Sequence, residues 1–503
     1  MSNIVGIDLG TTLSSIAVLD QIGKPEIISN QDGENITPSV VYWDDEEQIM
    51  LVGTQARLAL TADPDKGVEE VKKEMGQDSA WEWDGIAHNP EQISSYILKK
   101  LIQDAALIKG PIESAVVTVP ANFANEARNA TLKAGHLAGI EVSHIINEPT
   151  AAAVFYATQN TISGNLLVYD LGGGTFDATV ARIGKQEVEC IASQGDRNLG
   201  GKDFDRIIVE WMREKYKSQH GVDLVNEDVT EAELMTQAEE IKKVLSRRAK
   251  TRVRLQGPMG SITEELKRED FEEMISTKVA RTESLVEIAL DESGMSPEDI
   301  DYILLVGGST RIPVFQESIR QMFGKEPTQS VNVDEVVAMG AAIYAGMKAP
   351  EENLNVSQKK AMGGIKMSDV CNSCYGVIIA REGPTNTPEL VNETILQKNT
   401  PTPCSNKKSF YTIFEGQSEV KCTVTQSKTE EEDPQWVDIV WEGSLELPSG
   451  RPPGQEVEVT FSYSENETMN VRFRDVSSGK LVEGILDVSK AIGKGSGHEI
   501  VVE

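Results

Sequence analysis

Two glycine-rich turns, each set between apolar segments, constrain the fold of this chain more than any other feature of its sequence. The second turn lies in residues 166–182, LLVYDLGGGTFDATVAR. Residues 166–169 have the pattern of a buried strand, and residues 176–182 alternate as an antiparallel partner would. The three glycines at 172–174 lack a Cβ, so their N–H groups can approach a phosphate closely. Taken alone, the stretch fits a simple glycine hairpin about as well.

The first turn makes a nucleotide site the better interpretation. Asp170, Thr175 and Asp177 place oxygen atoms around the second turn, as magnesium and an attacking water require. Residues 4–19, IVGIDLGTTLSSIAVL, repeat the design of strand, Asp-Leu-Gly, small-residue turn and strand. A spacing of about 160 residues is too long for a solenoid repeat. We therefore predict two duplicated halves that enclose one nucleotide in the cleft between them.

The composition limits the partners and the compartment. The 503 residues carry 48 basic and 80 acidic side chains, a net charge of −32, which argues against binding to nucleic acid or to an anionic membrane. The first strand pattern begins at Ile4, and no run of 18 apolar residues occurs, so we expect neither a leader nor a membrane span. Five cysteines, an odd number, fit a reducing compartment. These features predict a cytoplasmic protein.

A lone CxxC motif, Cys371 and Cys374, allows two interpretations. The spacing suits a thiol redox pair or half of a zinc site. No second CxxC follows, and the motif lies where an alternating strand pattern begins, so simple strand packing is favoured.

Helical and strand patterns fill the region up to residue 346. Residues 53–76 read as mostly helical and exposed, and Glu148 stands before Pro149, which favours an extended conformation for it. A carboxylate presented in this way suits the positioning of a water, although an exposed Glu at a helix start is equally common. Helices are predicted at 91–108, 125–137, 231–248 and 334–346, a helix from about 203 after a glycine-rich loop, and strands at 115–119 and from 302.

The chain changes character after residue 347. A polar stretch at 347–368 has the composition of a linker. Short alternating segments separated by turn residues then predict an all-β sandwich or barrel: 375–380, 409–414, 420–425, 437–441, 457–463 and 469–474. We divide the chain into residues 1–348, a linker at 349–369, the β domain at 370–488 and a tail at 489–503.

Six motifs together resemble the seventy-kilodalton heat-shock chaperone family, the DnaK-like proteins. They are GIDLGTT (6–12), TVPANF (118–123), INEPTAAA (146–153), DLGGGTFD (170–177), GDRNLGGKDFD (195–205) and VGGSTRIP (306–313). The similarity spans residues 4–346 and continues more weakly through 457–480. It implies an α/β ATPase domain of the actin-like fold, with duplicated halves around a nucleotide cleft, followed by a β-sandwich that binds peptides.

The resemblance implies a role for each matching residue. Asp8 and Asp170 would hold hydrated magnesium, Lys72 would contact the γ-phosphate, and Glu148 and Thr175 would place the lytic water beside Asp177. Arg128 and Pro149 would form an interdomain switch. The nucleotide would lie against Gly10, Thr11, Thr12, Gly172, Gly173, Gly174, Gly200, Gly201, Glu239, Lys242, Lys243, Ser246, Gly307, Gly308, Arg311 and Asp334. Potassium is a second possible cation.

The sequence departs from the family pattern at four places. Lys243 stands where the family more often has an arginine that stacks on adenine, so nucleotide affinity is expected to be lower. The segment at 76–90 is short, which trims one lobe beside the cleft. The linker GIKMSD (364–369) has only Ile365 and Met367 as large apolar groups, so little linker docking is expected. Only 17 residues follow Leu486, so we expect a form without a helical lid.

The sequence thus predicts a chaperone that hydrolyses ATP to ADP and binds extended apolar segments of unfolded proteins. A J-domain co-chaperone and a nucleotide exchange factor are possible further partners. Three alternatives remain: an actin-like filament-forming ATPase, a nucleotide-binding co-chaperone with little hydrolysis, and a sugar kinase. The β-rich region after residue 370 disfavours a filament-forming ATPase. The presence of Asp8, Glu148, Asp170 and Thr175 disfavours a co-chaperone with little hydrolysis. A substrate base for a kinase is not identifiable.

Overall fold

The structure is a computed structural model. It describes residues 3–160, 162–185, 187–226, 229–329, 332–362, 366–382, 388–464, 468–485 and 501–502. None of the helices in these ranges is long and apolar enough to cross a membrane.

The first half of residues 1–348, up to Gln159, is built on a six-stranded sheet. Its elements are β1 (Asn3–Asp8), β2 (Leu13–Leu19), β3 (Pro25–Ile27), β4 (Thr37–Pro38), β5 (Val40–Asp44), β6 (Ile49–Val52), α1 (Thr54–Ala62), β7 (Gly67–Glu69), β8 (Trp81–Trp83), β9 (Ile86–His88), α2 (Pro90–Lys109), β10 (Ile112–Val119), α3 (Asn125–Leu137), β11 (Glu141–Asn147) and α4 (Glu148–Gln159). The sheet order is β11-β10-β1-β2-β3, with β4 beside β2. β5, β6 and β7 belong to a smaller separate sheet.

The second half repeats this arrangement. Its elements are β12 (Gly164–Leu171), β13 (Phe176–Ile183), β14 (Glu187–Asp196), α5 (Gly201–His220), α6 (Glu231–Arg247), β15 (Lys250–Gly257), β16 (Gly260–Lys267), α7 (Arg268–Met274), α8 (Ser276–Ser293), β17 (Tyr302–Val306), α9 (Pro313–Phe323), β18 (Thr328–Gln329), α10 (Val336–Lys348) and α11 (Val356–Met362). Each half has one antiparallel hairpin, β1–β2 or β12–β13, whose first strand also pairs in parallel with a later strand. The predicted duplication is therefore present in the sheet topology.

Two helices rich in small residues join the halves. α10 packs against α4 and against β1. A Cβ on Gly340 would overlap the backbone of Ala151, and a Cβ on Gly6 would overlap the backbone of Ala342. The small residues at these contacts, including Gly6 on β1 and Gly340 on α10, are therefore needed for the close approach. The contact brings the carboxyl ends of β1 and β12 to the same cleft.

From residue 366 onward, the regular elements of the described residues are strands and one short 3₁₀ turn, Pro434–Trp436. The strands are β19 (Lys366–Val370), β20 (Cys374–Glu382), β21 (Pro388–Leu396), β22 (Pro401–Thr402), β23 (Cys404–Tyr411), β24 (Glu419–Ser427), β25 (Asp438–Glu446), β26 (Glu456–Tyr463), β27 (Met469–Asp475), β28 (Leu481–Ile485) and β29 (Val501–Val502). Two four-stranded sheets, β21-β20-β24-β25 and β23-β26-β27-β28, share one apolar core that includes Val377, Val424, Phe461 and Phe473.

The segment predicted as a linker carries regular structure instead. Helix α11 lies inside it, and β19 crosses its end and pairs in parallel with β14, Val188 opposite Met367. The expectation that this segment would dock poorly is wrong for its described part, because backbone pairing does not need large apolar side chains. Ile365 and the other residues of 363–365 lie outside the described residues.

Three local predictions also need correction. Only α1 and two short 3₁₀ turns are helical within residues 53–76, because β7 and Glu70 at φ 59° interrupt the pattern. Glu148 is the first residue of α4, and the extended residue is Asn147. The strand expected at 409–414 ends at Tyr411 and begins earlier, at Cys404.

The CxxC cysteines are packed inside the β region. Cys371 and Cys374 are both buried, and burial raises the pKa of the Cys374 thiol. No group of three or more His, Cys, Asp or Glu side chains that could hold a metal occurs in the part of the chain that the structure describes. Strand packing remains the better interpretation of this motif.

Candidate functional site

A cleft of about 760 Å³ lies between the two halves, of a size that suits a small-molecule ligand. The turns of both hairpins face into it, as do α1, α6 and the turn after β17. Of the residues singled out from the sequence, the following line it: Asp8, Gly10, Thr11, Thr12, Glu148, Asp170, Gly172, Gly173, Thr175, Gly201, Glu239, Lys242, Lys243, Ser246, Gly307, Gly308, Arg311 and Asp334.

Glycines allow the two turns to meet across the cleft. A Cβ on Gly173 would overlap the side chain of Thr12, and one on Gly200 would come 2.5 Å from the backbone nitrogen of Gly174. Gly307 has φ +81°, and a Cβ there would overlap the carbonyl of Leu171. Gly174 and Gly200 do not line the cleft themselves, but they permit the contact between neighbouring loops. The turns of the two halves therefore lie against each other at Thr12 and Gly173.

Buried carboxylates gather at the floor of the cleft. Burial, together with the nearby Glu148, raises the pKa of Asp8 to about 7. Burial first, and then Glu148, also raises the pKa of Asp170 and of Asp177 well above the ordinary value. Thr118 Oγ1 donates a 3.0 Å hydrogen bond to Asp8 Oδ1. Such clustered negative charge, with hard oxygen donors, is the environment in which a divalent cation binds favourably.

Lys72 is the buried cation of this cluster. It is only 4% exposed, and its Nζ forms an ion pair with Glu148 Oε1. The neighbouring Lys73 pairs instead with Glu70, at 2.8 Å. Of the two adjacent lysines, Lys72 is therefore the one that contacts the carboxylate cluster, through Glu148.

Thr175 lies at the end of the second turn, beside these groups. Its carbonyl accepts a 3.1 Å hydrogen bond from Gly172 N–H, which closes the turn, and its side chain is nearly buried at the cleft wall. Asp177 is the Cα partner of Asp170 across β12 and β13. The hairpin therefore carries Asp170 and Thr175 at the cleft, whereas Asp177, 1% exposed, lies beside Asp170 and does not line the cleft.

The polar face of α6 forms the opposite wall. Lys242 Nζ donates to the carbonyl of Gly201 at 2.9 Å and to Asp205 Oδ2 at 2.8 Å. Ser246 donates to the carbonyl of Lys242, and Lys243 Nζ lies 3.0 Å from Glu239 Oε1. These contacts hold four polar side chains on one side of the cleft.

An ion pair crosses the cleft above this wall. Arg57 on α1, in the first half, pairs with Glu239 on α6, in the second half. Burial raises the pKa of Glu239, but Arg57 and Lys243 outweigh it and lower the pKa to about 2. Arg57 was not predicted as a site residue, because a single arginine in an exposed helical pattern does not indicate a partner 182 residues away.

The third wall comes from the double glycine turn after β17. Arg311 is half exposed, and its Nη1 lies 2.7 Å from Asp334 Oδ2. This leaves the guanidinium plane at the cleft wall, fixed by Asp334, where a flat ring can stack on it.

Arg128 and Pro149 lie away from the cleft, at the contact with the linker strand. Arg128 is fully buried and donates to the carbonyls of Phe123 and Ala121 and, at 2.7 Å, to Asn147 Oδ1. On either side of Pro149, Asn147 Nδ2 and Thr150 Oγ1 donate to Asp369 Oδ2 at 2.9 and 2.7 Å.

The β region makes two further contacts with the nucleotide region. Asn372 Nδ2 donates to the carbonyls of Ala121 and Phe123 at 2.7 and 2.8 Å. Lys398 Nζ lies 3.0 Å from Glu292 on α8, and Asn399 also donates to that carboxylate. None of these contact residues was identified from the sequence, where polar side chains beside a turn are ordinary.

Comparison with known proteins gives one family. The family model described as "Hsp70 protein" matches residues 4–84 and 80–495. Among curated proteins, "Chaperone protein DnaK" of Thermotoga petrophila and of Thermotoga maritima are each 39% identical over 490 residues. The same protein of Thermosipho melanesiensis has the same identity and length of match. Each alignment covers 95% of this chain and 79% of the relative.

Proposed function

The chain belongs to the Hsp70 family, and from that premise we propose that it is a chaperone that hydrolyses ATP and binds extended apolar segments of unfolded proteins. The observation that carries the proposal is the cleft between two half-domains of the same topology, with a glycine turn from each half in its floor. We assign residues up to about 348 to an actin-like ATPase domain and the two four-stranded sheets to a peptide-binding β-sandwich.

The phosphate end of the nucleotide belongs at the two turns. Backbone N–H groups of Thr11, Thr12 and Gly173, which line the cleft, would bind the phosphate oxygens, since the two turns approach closely at Thr12 and Gly173. Asp8 and Asp170 would hold magnesium, which keeps several waters and needs only one or two carboxylates. When bound, the cation neutralises charge on the phosphates. The raised pKa values of these two carboxyls, caused by burial and the nearby Glu148, support a bound cation at this point.

Hydrolysis would depend on positioning and charge, not on covalent chemistry. Lys72 would face the terminal phosphate while its ion pair fixes the orientation of Glu148. Glu148 and Thr175, which both line the cleft, would orient the attacking water, with the buried Asp177 next to them on the hairpin. The hydroxyl of Thr175 can both accept from the water and donate to a phosphate oxygen.

The adenosine end belongs at the opposite wall. Glu239, Lys242 and Ser246 would bind the ribose, and Arg311 would stack on the base. Lys243 is drawn into ion pairs with Glu239 and Glu240. With its ammonium in these ion pairs, Lys243 offers no flat surface for adenine to stack on. We therefore expect a lower nucleotide affinity.

The client would bind where the edge strands of the two β sheets lie side by side. β21 and β23 are both edges, and they run antiparallel: Asn406 donates to the carbonyl of Ile395, and Lys408 pairs with Glu393. Continuing this register places Leu390 opposite Tyr411, 66% and 60% exposed.

The junction of β21 and β23, here called the groove, has further apolar residues next to Tyr411 in the chain. Ile413 and Phe414 are 46% and 60% exposed. Exposed apolar groups beside a strand edge offer pockets for the side chains of an extended peptide. The groove therefore fits an extended apolar segment with little sequence specificity.

Communication between the two sites would pass through Asp369. The strand β19 belongs to the ATPase sheet, and its Asp369 accepts hydrogen bonds from Asn147 and Thr150, the residues that flank Glu148 and Pro149. A change around Glu148 on hydrolysis would therefore alter the contacts of the linker strand. A J-domain protein and a nucleotide exchange factor are the partners that we propose for the cycle.

Single-turnover ATP hydrolysis with and without an unfolded apolar peptide tests the function. We expect the peptide to accelerate hydrolysis several-fold, because client and nucleotide sites are coupled. A filament-forming ATPase would instead form ATP-dependent pellets without a response to peptide. A chain that binds ATP and does not hydrolyse it would contradict the proposal in favour of a regulator.

A further inference from the structure

A buried aromatic ring, that of Phe123, lies beside Lys72. Phe123 is in the turn between β10 and α3 and is 1% exposed. The Nζ atom of Lys72 lies 5.8 Å from the centroid of this ring, and the guanidinium carbon of Arg197 lies 5.2 Å from the same centroid. Both distances are within the range in which a cation is attracted to an aromatic ring. The ring therefore contacts one cation of its own half and one of the second half.

The backbone of Phe123 is fixed by hydrogen bonds on both sides. Its N–H donates to the carbonyl of Pro120 at 3.1 Å, which closes the turn. Its carbonyl accepts from Arg128 Nε at 3.2 Å and from Asn372 Nδ2, in the β region, at 2.8 Å. The ring itself is part of the close-packed apolar core of the first half. Phe123 therefore offers a fixed surface to the long and flexible side chain of Lys72.

An aromatic face suits the role proposed for Lys72. The lysine is 4% exposed, so its ammonium has lost most of its water. The ammonium has three N–H donors, of which one points to Glu148 and another would be needed by the terminal phosphate. The face of a ring attracts the charge as a whole through its quadrupole. Phe123 can therefore hold the ammonium in place without competing with the phosphate for a hydrogen bond.

Arg197 joins the ring to the turn that carries Lys72. It lies between β14 and α5 of the second half, and its Nη2 donates to the carbonyl of Lys73 at 3.3 Å. Its guanidinium lies over the ring of Phe123 at the same time. The second half therefore covers both the ring and the lysine turn.

We propose that Phe123 is a positioning residue for Lys72, whose ammonium its ring holds beside Glu148 for contact with the terminal phosphate. Phe123 is not one of the residues that line the cleft, so it acts only through Lys72. The proposal rests on the proposed hydrolysis of ATP and adds to it a residue that sets the place of the cation. A ring with a weaker attraction for cations should slow hydrolysis and leave ATP binding unchanged.

Fluorination of the ring at position 123 tests this with little change of shape. Fluorine withdraws charge from the ring face, so mono-, di- and trifluorophenylalanine weaken the attraction for a cation in steps. We expect the single-turnover rate at saturating ATP to fall at each step, about threefold to tenfold in total, while the Kd for ATP changes by less than about twofold. Equal rates along the series would overturn the proposal.

The same fluorinated series at position 315 is the matched control. Phe315 is as buried as Phe123, but its ring packs against that of Phe204, 5.4 Å between centroids. The hydrolysis rate should stay at the wild-type value along this series. An equal loss of rate at both positions would show a general effect of fluorine in the core and would also overturn the proposal.

The ring contact itself is measured without nucleotide. The Cε protons of Lys72 are next to Nζ, so the ring current of Phe123 should shift them upfield in protein labelled with ¹³C at lysine. Lys72→Arg identifies the signal by removing it. We expect the upfield shift to disappear in Phe123→Leu and to remain in Phe315→Leu. An ordinary chemical shift in the wild type would overturn the proposal. A chain that shows the contact but hydrolyses no ATP would refute the proposed function, and with it the role of Phe123 in hydrolysis, while the contact would stand.

Discussion

The clearest consequence at the scale of single residues concerns Thr175. The carbonyl of Thr175 accepts a hydrogen bond from Gly172 N–H and closes the turn. This turn holds the Thr175 side chain at the cleft wall. Loss of one positioned hydrogen-bond donor near a reacting phosphoryl group costs a few kcal/mol in the transition state. We therefore expect Thr175→Ala to slow single-turnover hydrolysis by about 10² while ATP still binds.

Thr179→Ala is the matched control for this change. Thr179 lies on the same hairpin and is also buried, but its hydroxyl pairs with that of Ser193 and does not line the cleft. Its hydrolysis rate should stay near that of wild type. A normal rate in Thr175→Ala, or an equal defect in both variants, would remove Thr175 from the mechanism.

Some cleft residues were predictable from the sequence because they lie at the end of a strand or on the polar face of a helix. Asp8 is the last residue of β1 and Asp170 the next to last of β12, each beside a glycine turn, so their positions follow from the local pattern. Arg57 and Asp369 lie in the site region through partners that are 182 and 222 residues away. No local pattern encodes such a pairing, and these residues were missed.

Whole elements were predictable wherever one periodicity continued without a break. The helix at 125–137 is found with those bounds, and that at 91–108 is extended by one residue at each end. The strands β21 and β28 were missed, because exposed charged and polar residues interrupt their alternation. Edge strands of this kind are held by their neighbours rather than by their own sequence.

The groove between β21 and β23 gives a prediction at the scale of elements. Leu390→Ser and Tyr411→Ser each remove apolar surface from the mouth of the proposed client site, at about 1 to 2 kcal/mol per side chain. We expect each to weaken binding of a fluorescent apolar peptide roughly fivefold to thirtyfold, measured by anisotropy.

Val476→Ser removes a similarly exposed apolar side chain from the turn after β27, outside this groove. Its peptide affinity should match the wild type. Unchanged affinity in both groove variants would place the client elsewhere on the β domain.

The linker strand gives a second prediction at this scale. Asp369 is buried and accepts hydrogen bonds from Asn147 and Thr150, each worth about 1.5–3 kcal/mol when one partner is charged. Asp369→Ala should leave basal hydrolysis unchanged and reduce its stimulation by peptide by tenfold or more.

Asp433→Ala removes an exposed aspartate that only caps a turn in the β domain, and stimulation should persist in it. Full stimulation in Asp369→Ala would show that β19 holds the domains together without transmitting the nucleotide state.

At the scale of the whole molecule, the sequence predicted two functional parts but not how they touch. Composition marks the change near residue 347, since helical periodicity gives way to alternation there. The docked arrangement depends on single polar contacts, such as Asn372 with two carbonyls of the first half. Polar side chains of this kind are indistinguishable from solvated ones until the partner surface is known.

The ion pair between Lys398 and Glu292 allows the docked arrangement to be tested by charge exchange. Both side chains are largely shielded, at 13% and 26% exposure, so the pair is screened less than a surface pair. Lys398→Glu places two negative charges together and should reduce peptide stimulation of hydrolysis several-fold. The double variant Lys398→Glu with Glu292→Lys restores opposite charges and should recover most of it, since neighbours in contact couple by 0.5–3 kcal/mol in general. Failure of the double variant to recover would mean that this contact does not form in the active cycle.

By linkage, the factor by which ATP changes peptide affinity must equal the factor by which peptide changes ATP affinity in every variant, so Lys398→Glu should reduce both equally and the double variant should restore both. Titration of peptide with and without ATP, and of ATP with and without peptide, measures both factors, and unequal factors would show that the two titrations follow different conformational states.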